Sequence, residues 1–259
     1  MILHAAAGRG RSVRLEMDLR LKGLKAVVTG GSQGIGRVIV RAPVAEGCAT
    51  EFCARDRQRV DETVRELSRE GHRIQGTALD VRDSPAERAS LAAVGAFDIF
   101  VPNVNALADD CATTIATDVS ATIEATETAA GIVRQSAHGA ITFIGSKTAS
   151  YAAPHSPAYG AMKAGMAHYM KSLCLQLMPA VRVNVVSPGN ILFPGGYWDE
   201  VRLRDPRLFE AAERRNPLGR FGTTEDIGGI VAFISIPAAS FVAGSNWYVD
   251  GGLVSHVQI

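Results

Sequence analysis

Short apolar, β-branched runs recur along the chain and alternate with longer stretches whose apolar positions return at the helical period. The runs KAVVT (25–29), ATEFC (49–53), RIQGTAL (73–79), FDIFV (97–101), AITFIG (140–145), VRVNVVS (181–187) and NWYV (246–249) predict strands. Helices are predicted over 35–46, 57–70, 84–94, 112–136, 157–177 and 224–236. The strands read as continuous apolar runs, as strands covered on both faces must. Strands alternating with helices, joined by right-handed crossovers, predict an α/β fold: one doubly wound, mostly parallel sheet with helices on both faces.

Two positions disturb the pattern. Pro43 falls inside the first predicted helix, where proline costs about 3 kcal/mol, and Glu51 falls inside a strand expected to be buried. The periodic pattern begins after Met17, at MDLRLKGLKAVVTGG. Residues 1–17 read as a flexible extension and 18–259 as a single domain. The apolar piece before Gly8 is too short for a signal segment, and its arginines follow it instead of preceding it.

Composition narrows the function classes. Hydrophobic residues make up 47% of the 259 and charged residues 20%, enough apolar material for a sizeable core. A formal net charge of +1 argues against nucleic acid or an anionic membrane as partner. No apolar run approaches the roughly 18 residues of a membrane span. Cys48, Cys53, Cys111 and Cys174 show no metal-type spacing, so a metal site is not expected. Three of them sit in apolar or helical surroundings, which points to reduced thiols and a cytoplasmic protein.

The first strand is followed by TGGSQGIG (29–36) and then a helix. Gly30, Gly34 and Gly36 permit a tight turn, close backbone approach to a pyrophosphate and close helix–strand packing. Ser32, Gln33 and Ile35 line the same turn. Such a loop after a first buried strand is the phosphate cradle of a Rossmann-type, dinucleotide-binding domain. The second strand ends in FCARD. No carboxylate stands at Ala54 to take ribose hydroxyls, whereas Arg55 can pair with a 2′-phosphate, so the expected cofactor is NADP(H) rather than NAD(H).

Further motifs follow in order: Asp80–Val81 after the third strand, Asn103 after the fourth, Ser146, then Tyr159 and Lys163 in SPAYGAMKAGM, Pro188–Gly189 in NVVSPG, and LGRFGTTEDIGG…SFVAGSNWYVDGG. Together with the glycine loop they resemble the short-chain dehydrogenase/reductase family, over nearly the whole chain from Leu19. The resemblance implies Tyr159 as general acid or base toward a carbonyl or alcohol, and Lys163 as the cation that favours its phenolate and binds the nicotinamide ribose. Ser146 would hold the substrate oxygen. Two unit charges about 4 Å apart interact by roughly 4 kcal/mol at an effective dielectric of 20, enough to bring a phenol's proton exchange toward neutral pH. Asp80 and Val81 would lie near the adenine, and the backbone at Pro188, Gly189 and Ile191 near the carboxamide. Ser150 is a competing hydroxyl, but the thirteen-residue spacing to Tyr159 selects Ser146.

The chain also departs from that family. PNVN (102–105) stands where the family has NNAG, with Asn105 able to take the positive-φ position of the glycine. In TDVSATIEA, Ser120 replaces the asparagine of the family's proton relay. The connections 80–98 and 105–120 are short. After the sheet's carboxyl end, Phe193, Tyr197 and Trp198 are candidates for a pocket or lid, or for anchors packed on the domain. His155 reads as an exposed histidine.

The expected function is an NADP(H)-dependent oxidoreductase acting on a ketone or secondary alcohol, closest in look to 3-oxoacyl-thioester reductases. The alternative is a cofactor-binding member with weak or no catalysis, acting as a sensor or partner subunit. The helices 112–136 and 157–177 resemble those that pair across a two-fold in the family, implying a homodimer or homotetramer.

Overall fold

The computed structural model describes residues 19–106, 110–154 and 156–257. The expected extension over 1–17 and His155 lie outside the described residues. Strand β1 (Lys25–Thr29) pairs in parallel with β2 (Ala49–Ala54) on one side and with β4 (Ile99–Val101) on the other. Beyond β2 lies β3 (Ile74–Ala78); beyond β4 lie β5 (Ala140–Ile144), β6 (Arg182–Pro188) and β7 (Asn246–Val249). The order β3-β2-β1-β4-β5-β6-β7 is parallel throughout, as the continuous apolar strands predict. It makes one domain of Rossmann type, and the chain reverses direction across the sheet between β1 and β4. Open sheets of this kind bind ligands at the carboxyl ends of the strands flanking that reversal.

Alternation along each strand divides the core. Ala26 and Val28 of β1 join Ile39 and Val40 of α1 (Gly34–Ala45) and Ile227 and Ile234 of α9 (Thr224–Ser235) on one face. Val27 and Phe100 face the other side, with α5 (Thr122–Val133) and α6 (Pro157–Leu177). Helices α2 (Arg57–Arg69) and α3 (Ser84–Val94) begin at Asp56 and Asp83, whose carboxylates cap Arg59 N and Ala86 N.

Both irregular positions are accommodated. Pro43 lies in the last turn of α1, where it has no N–H to give to Ile39 and where the helix ends two residues on, and its carbonyl accepts from Glu46 and Cys48. Glu51 is partly exposed and pairs with Lys25 across β1 and β2 at 3.6 Å. Arg182 donates to the carbonyls of Ile234, Ser235, Ile236, Ala239 and Val242, which ties the end of α9 to the sheet.

Two helical assignments change. The region expected as one helix over 112–136 is α4 (Cys111–Thr114), a π-helical segment (Ile115–Ala121) and α5. Thr122 Oγ1 donates to the carbonyl of Thr117, five residues back, as the wider turns allow. The segment after β6, outside the predicted helices, holds α7 (Tyr197–Arg204) and α8 (Pro206–Arg215). Their signals are local: Asp199 and Glu200 open α7, Arg202 and Arg204 close it, and Asp205 with Pro206 starts α8. None of the described helices is long and apolar enough to cross a membrane.

Candidate active site

The glycine loop leaves β1 and enters α1 at the reversal point. Gly30 (φ +72°) and Gly34 (φ +53°) occupy the left-handed region. A Cβ on Gly36 would fall 2.0 Å from the carbonyl oxygen of Gly30 and 2.4 Å from Asn103 Nδ2, so the approach is possible only for glycine. Gln33 makes no side-chain cap on α1, and no acidic residue stands in its first turn. The N-terminal amides therefore have no side-chain cap, and the loop fits a diphosphate. Ser32 is buried in the turn; Ile35 is partly buried behind it. Gln33 is exposed and accepts from Arg59 of α2, a contact the sequence does not announce.

Phe193 lies against this loop. A Cβ on Gly34 would come within 2.7 Å of its ring, and one on Gly196 equally close. The ring thus packs over the start of α1. Trp198, by contrast, is an anchor: it packs on Phe221, on which Phe209 of α8 stacks, and Tyr197 meets it edge-on.

Past the second strand, Arg55 is exposed, and its charge reaches Asp80. The Asp80 carboxylate is gripped by Arg82, which holds it below the usual carboxylate range. Val81 is buried with Cys53 and Ala121. Pro188 closes β6, and a Cβ on Gly189 would meet Asp250 Cα at 2.6 Å. Ile191 bridges Gly222 through the amides of its neighbours, so its own N–H and C=O point to the opposite side.

Ser146 ends the run after β5 and is buried. Its oxygen accepts from Thr148 N at 3.2 Å and Thr148 Oγ1 at 2.9 Å, which leaves its own O–H to donate. Ser150, the competing hydroxyl, is exposed and paired with Tyr248. Helix α6 begins with Pro157, carries Tyr159 in its first turn and Lys163 one turn later. Lys163 is 1% exposed, and its Nζ lies 5.5 Å from the Tyr159 ring centroid and 5.2 Å from that of Phe143.

The residue beside Lys163 corrects the expectation for Ser120. Ser120 is exposed, whereas Asp118 is sealed at 1% exposure with Oδ1 4.0 Å from Lys163 Nζ. Two positions apart on a helix are nearly opposite faces, so the buried Asp118 and the exposed Ser120 point apart. Asp118 Oδ1 also accepts from Ala106 N at 3.2 Å; Oδ2 is buried without a hydrogen-bond partner. Burial pushes the Asp118 carboxyl up, against the pull of Lys163 and of the Ala106 amide.

The PNVN segment joins these parts. Asn103 donates from Nδ2 to the carbonyls of Gly30 at 3.1 Å and Thr29 at 3.3 Å, while its N–H donates to Thr29 Oγ1. Two residues on, Asn105 Nδ2 donates to the Tyr159 hydroxyl at 2.9 Å. Asn105 does not take a positive φ; among the described non-glycine residues only Arg20 does. Asn105 and Asp118 are therefore the site residues that sequence reasoning missed. A lone carboxylate in CATTIATDVSA and an amide in place of a glycine were the available signals.

The sequence and the fold are similar to those of known proteins. The family model described as enoyl-(acyl carrier protein) reductase matches residues 30–254. A tropinone reductase homologue of Arabidopsis thaliana is 30% identical over 261 residues, covering 95% of this chain and 96% of its own. Among solved structures, an NADPH-bound short-chain oxidoreductase of Pseudomonas aeruginosa with an atypical catalytic centre superposes with a TM-score of 0.82 at 28% identity, over 90% of this chain and 98% of that one. L-sorbose reductase of Gluconobacter frateurii, complexed with NADPH and L-sorbose, gives 0.82 at 26%, over 93% and 100%.

Proposed function

The chain belongs to the short-chain dehydrogenase/reductase family of oxidoreductases, and from that premise we propose that it is an NADP(H)-dependent reductase of ketones, or dehydrogenase of secondary alcohols. One observation carries the reading: Asn103 grips Gly30 of the cradle while Asn105, two residues on, touches the hydroxyl of Tyr159. A dinucleotide lying with its diphosphate on the glycine loop thus brings its far end to the phenol.

Gly30, Ser32, Gln33, Gly34, Ile35 and Gly36 would hold the diphosphate, Asp80, Val81 and Asn103 the adenosine side, and Pro188, Gly189 and Ile191 the carboxamide. Arg55 would meet the 2′-phosphate. When bound, the reduced nicotinamide supplies a hydride to the carbonyl carbon. Tyr159 gives its proton to the carbonyl oxygen, and Ser146 donates its free O–H to the same oxygen as charge grows there. Lys163, buried one turn away, favours the phenolate that remains. The protein would act as a homodimer or homotetramer through α5 and α6 in the cytoplasm, with its buried thiols reduced. Burial pushes Cys48 up to about 11 and Cys53 to about 12.

NADPH-bound and sorbose-bound relatives support the cofactor and the ketone, and the family resemblance adds a 3-oxoacyl thioester to the substrates worth assaying. The test is a fluorescence titration with NADPH and NADH, then NADPH consumption with tropinone, L-sorbose and a 3-oxoacyl thioester. Tighter NADPH binding, weakened in Arg55→Ala far more than NADH binding, is expected. Tyr159→Phe should lose reduction and keep NADPH affinity. Equal affinities in wild type and Arg55→Ala would remove the cofactor assignment. Binding of neither nucleotide would favour the non-catalytic alternative.

A further inference from the structure

We propose that Asn105 is a further catalytic residue, a neutral hydrogen-bond donor to the reacting oxygen of Tyr159; this rests on the oxidoreductase reading above. The amide nitrogen of asparagine can only donate, so at 2.9 Å the phenolic oxygen is the acceptor. One lone pair of that oxygen is thereby used, and its own proton is left to point elsewhere, toward a substrate.

Asn105 is held in place from both sides. Asn103 is fastened to Thr29 and Gly30 through its N–H and its amide, and Ala106 donates its N–H to Asp118. Donors fixed in this way cost little reorganisation as charge develops. In reduction, Tyr159 yields its proton to the carbonyl oxygen while the carbonyl carbon takes up the hydride from reduced nicotinamide. The products are a secondary alcohol, oxidised nicotinamide and a phenolate, which then takes a proton from water. A hydrogen bond to a phenolate is stronger than one to a phenol, so Asn105 favours the state after proton transfer over the state before it.

The charges around Tyr159 give this donor its importance. Lys163 on α6 favours the phenolate, but Asp118 of the π-helical segment stands 4.0 Å behind that ammonium and offsets part of its field. An amide N–H aimed at the oxygen is not cancelled by the carboxyl. Asn105 therefore supplies directional stabilisation that the Lys163–Asp118 pair supplies only weakly.

The test follows the phenolate ultraviolet absorbance of the cofactor-free protein against pH, with Tyr159→Phe as baseline to isolate the one tyrosine. Asn105→Ala is expected to move the ionisation of Tyr159 about one pH unit higher, and to lower turnover at neutral pH about tenfold, with NADPH affinity kept within about twofold. Asn105→Asp, nearly the same shape with an acceptor in place of the donor, should shift it further in the same direction and stands in if the alanine variant fails to fold. An unmoved titration in a folded variant, or full turnover by Asn105→Asp, overturns the proposal. If wild type reduces none of the carbonyl compounds, the oxidoreductase reading falls, while the titration still decides the role of Asn105.

Discussion

The carboxyl of Asp118 and the ammonium of Lys163 face each other at 4.0 Å, both sealed from solvent, beneath the phenol of Tyr159. Removing one member of a buried pair leaves the other uncompensated and costs about 3–5 kcal/mol. Asp118→Asn should accordingly lower the unfolding free energy by about 3 kcal/mol, and Lys163→Met should remove most of that penalty in the double variant. Chemical denaturation of the four proteins measures the coupling. A coupling near zero would mean that the two charges do not support each other.

Phe193 lies against Gly34, in the loop proposed to hold a diphosphate, and is expected to stand in its way. A binding-competent state then requires the ring to turn aside, and apparent affinity falls by the fraction of molecules in which it has done so. Phe193→Ala is expected to tighten NADPH binding by about three- to tenfold, read by fluorescence titration. Weaker binding in the variant would show instead that the ring supports the bound dinucleotide.

Glu87 of α3 is buried, with Oε1 lacking a hydrogen-bond partner, and burial together with the charge of Glu124 pushes it up to about 8. The ordinary value is 4.5. Between those two pH values the unfolded chain has released a proton that the folded chain keeps, so stability falls as pH rises through this window and levels above it. Glu87→Gln should melt close to wild type near the lower limit and increasingly above it toward the upper. Melting curves at several pH values with a constant difference would contradict this.

Arg182 spans five carbonyls at the end of α9 and the turn after it. A lysine cannot reproduce that planar fork. Arg182→Ala should cost about 3 kcal/mol or more, and Arg182→Lys should recover only part of it. Denaturant titration of the two variants provides the measurement, and full recovery by lysine would reduce the contact to one of charge alone.

The parts of the site that lie close together in sequence were legible there. Gly30, Gly34 and Gly36 share one turn, and Tyr159 and Lys163 share one helix face, so spacing alone relates them. Ser146 was selected over Ser150 by its distance along the chain; Ser150 is paired with Tyr248. Ser120 was taken from its place in TDVSATIEA, and in that stretch the chain makes π-helical turns in which Asp118, not Ser120, is the buried residue beside Lys163. Asn105 was given a backbone role because its place in a glycine motif hides what its side chain meets 54 residues later.

Hydrophobic periodicity is a local property, and it determined the seven strands and their parallel arrangement. Which polar group stands behind Lys163, which amide meets Tyr159 and which ring covers Gly34 depended on helix register and on segments far apart in the chain. Those contacts are set by packing between elements, where a shift of two residues exchanges a buried carboxyl for an exposed hydroxyl. Only the tertiary structure decides them.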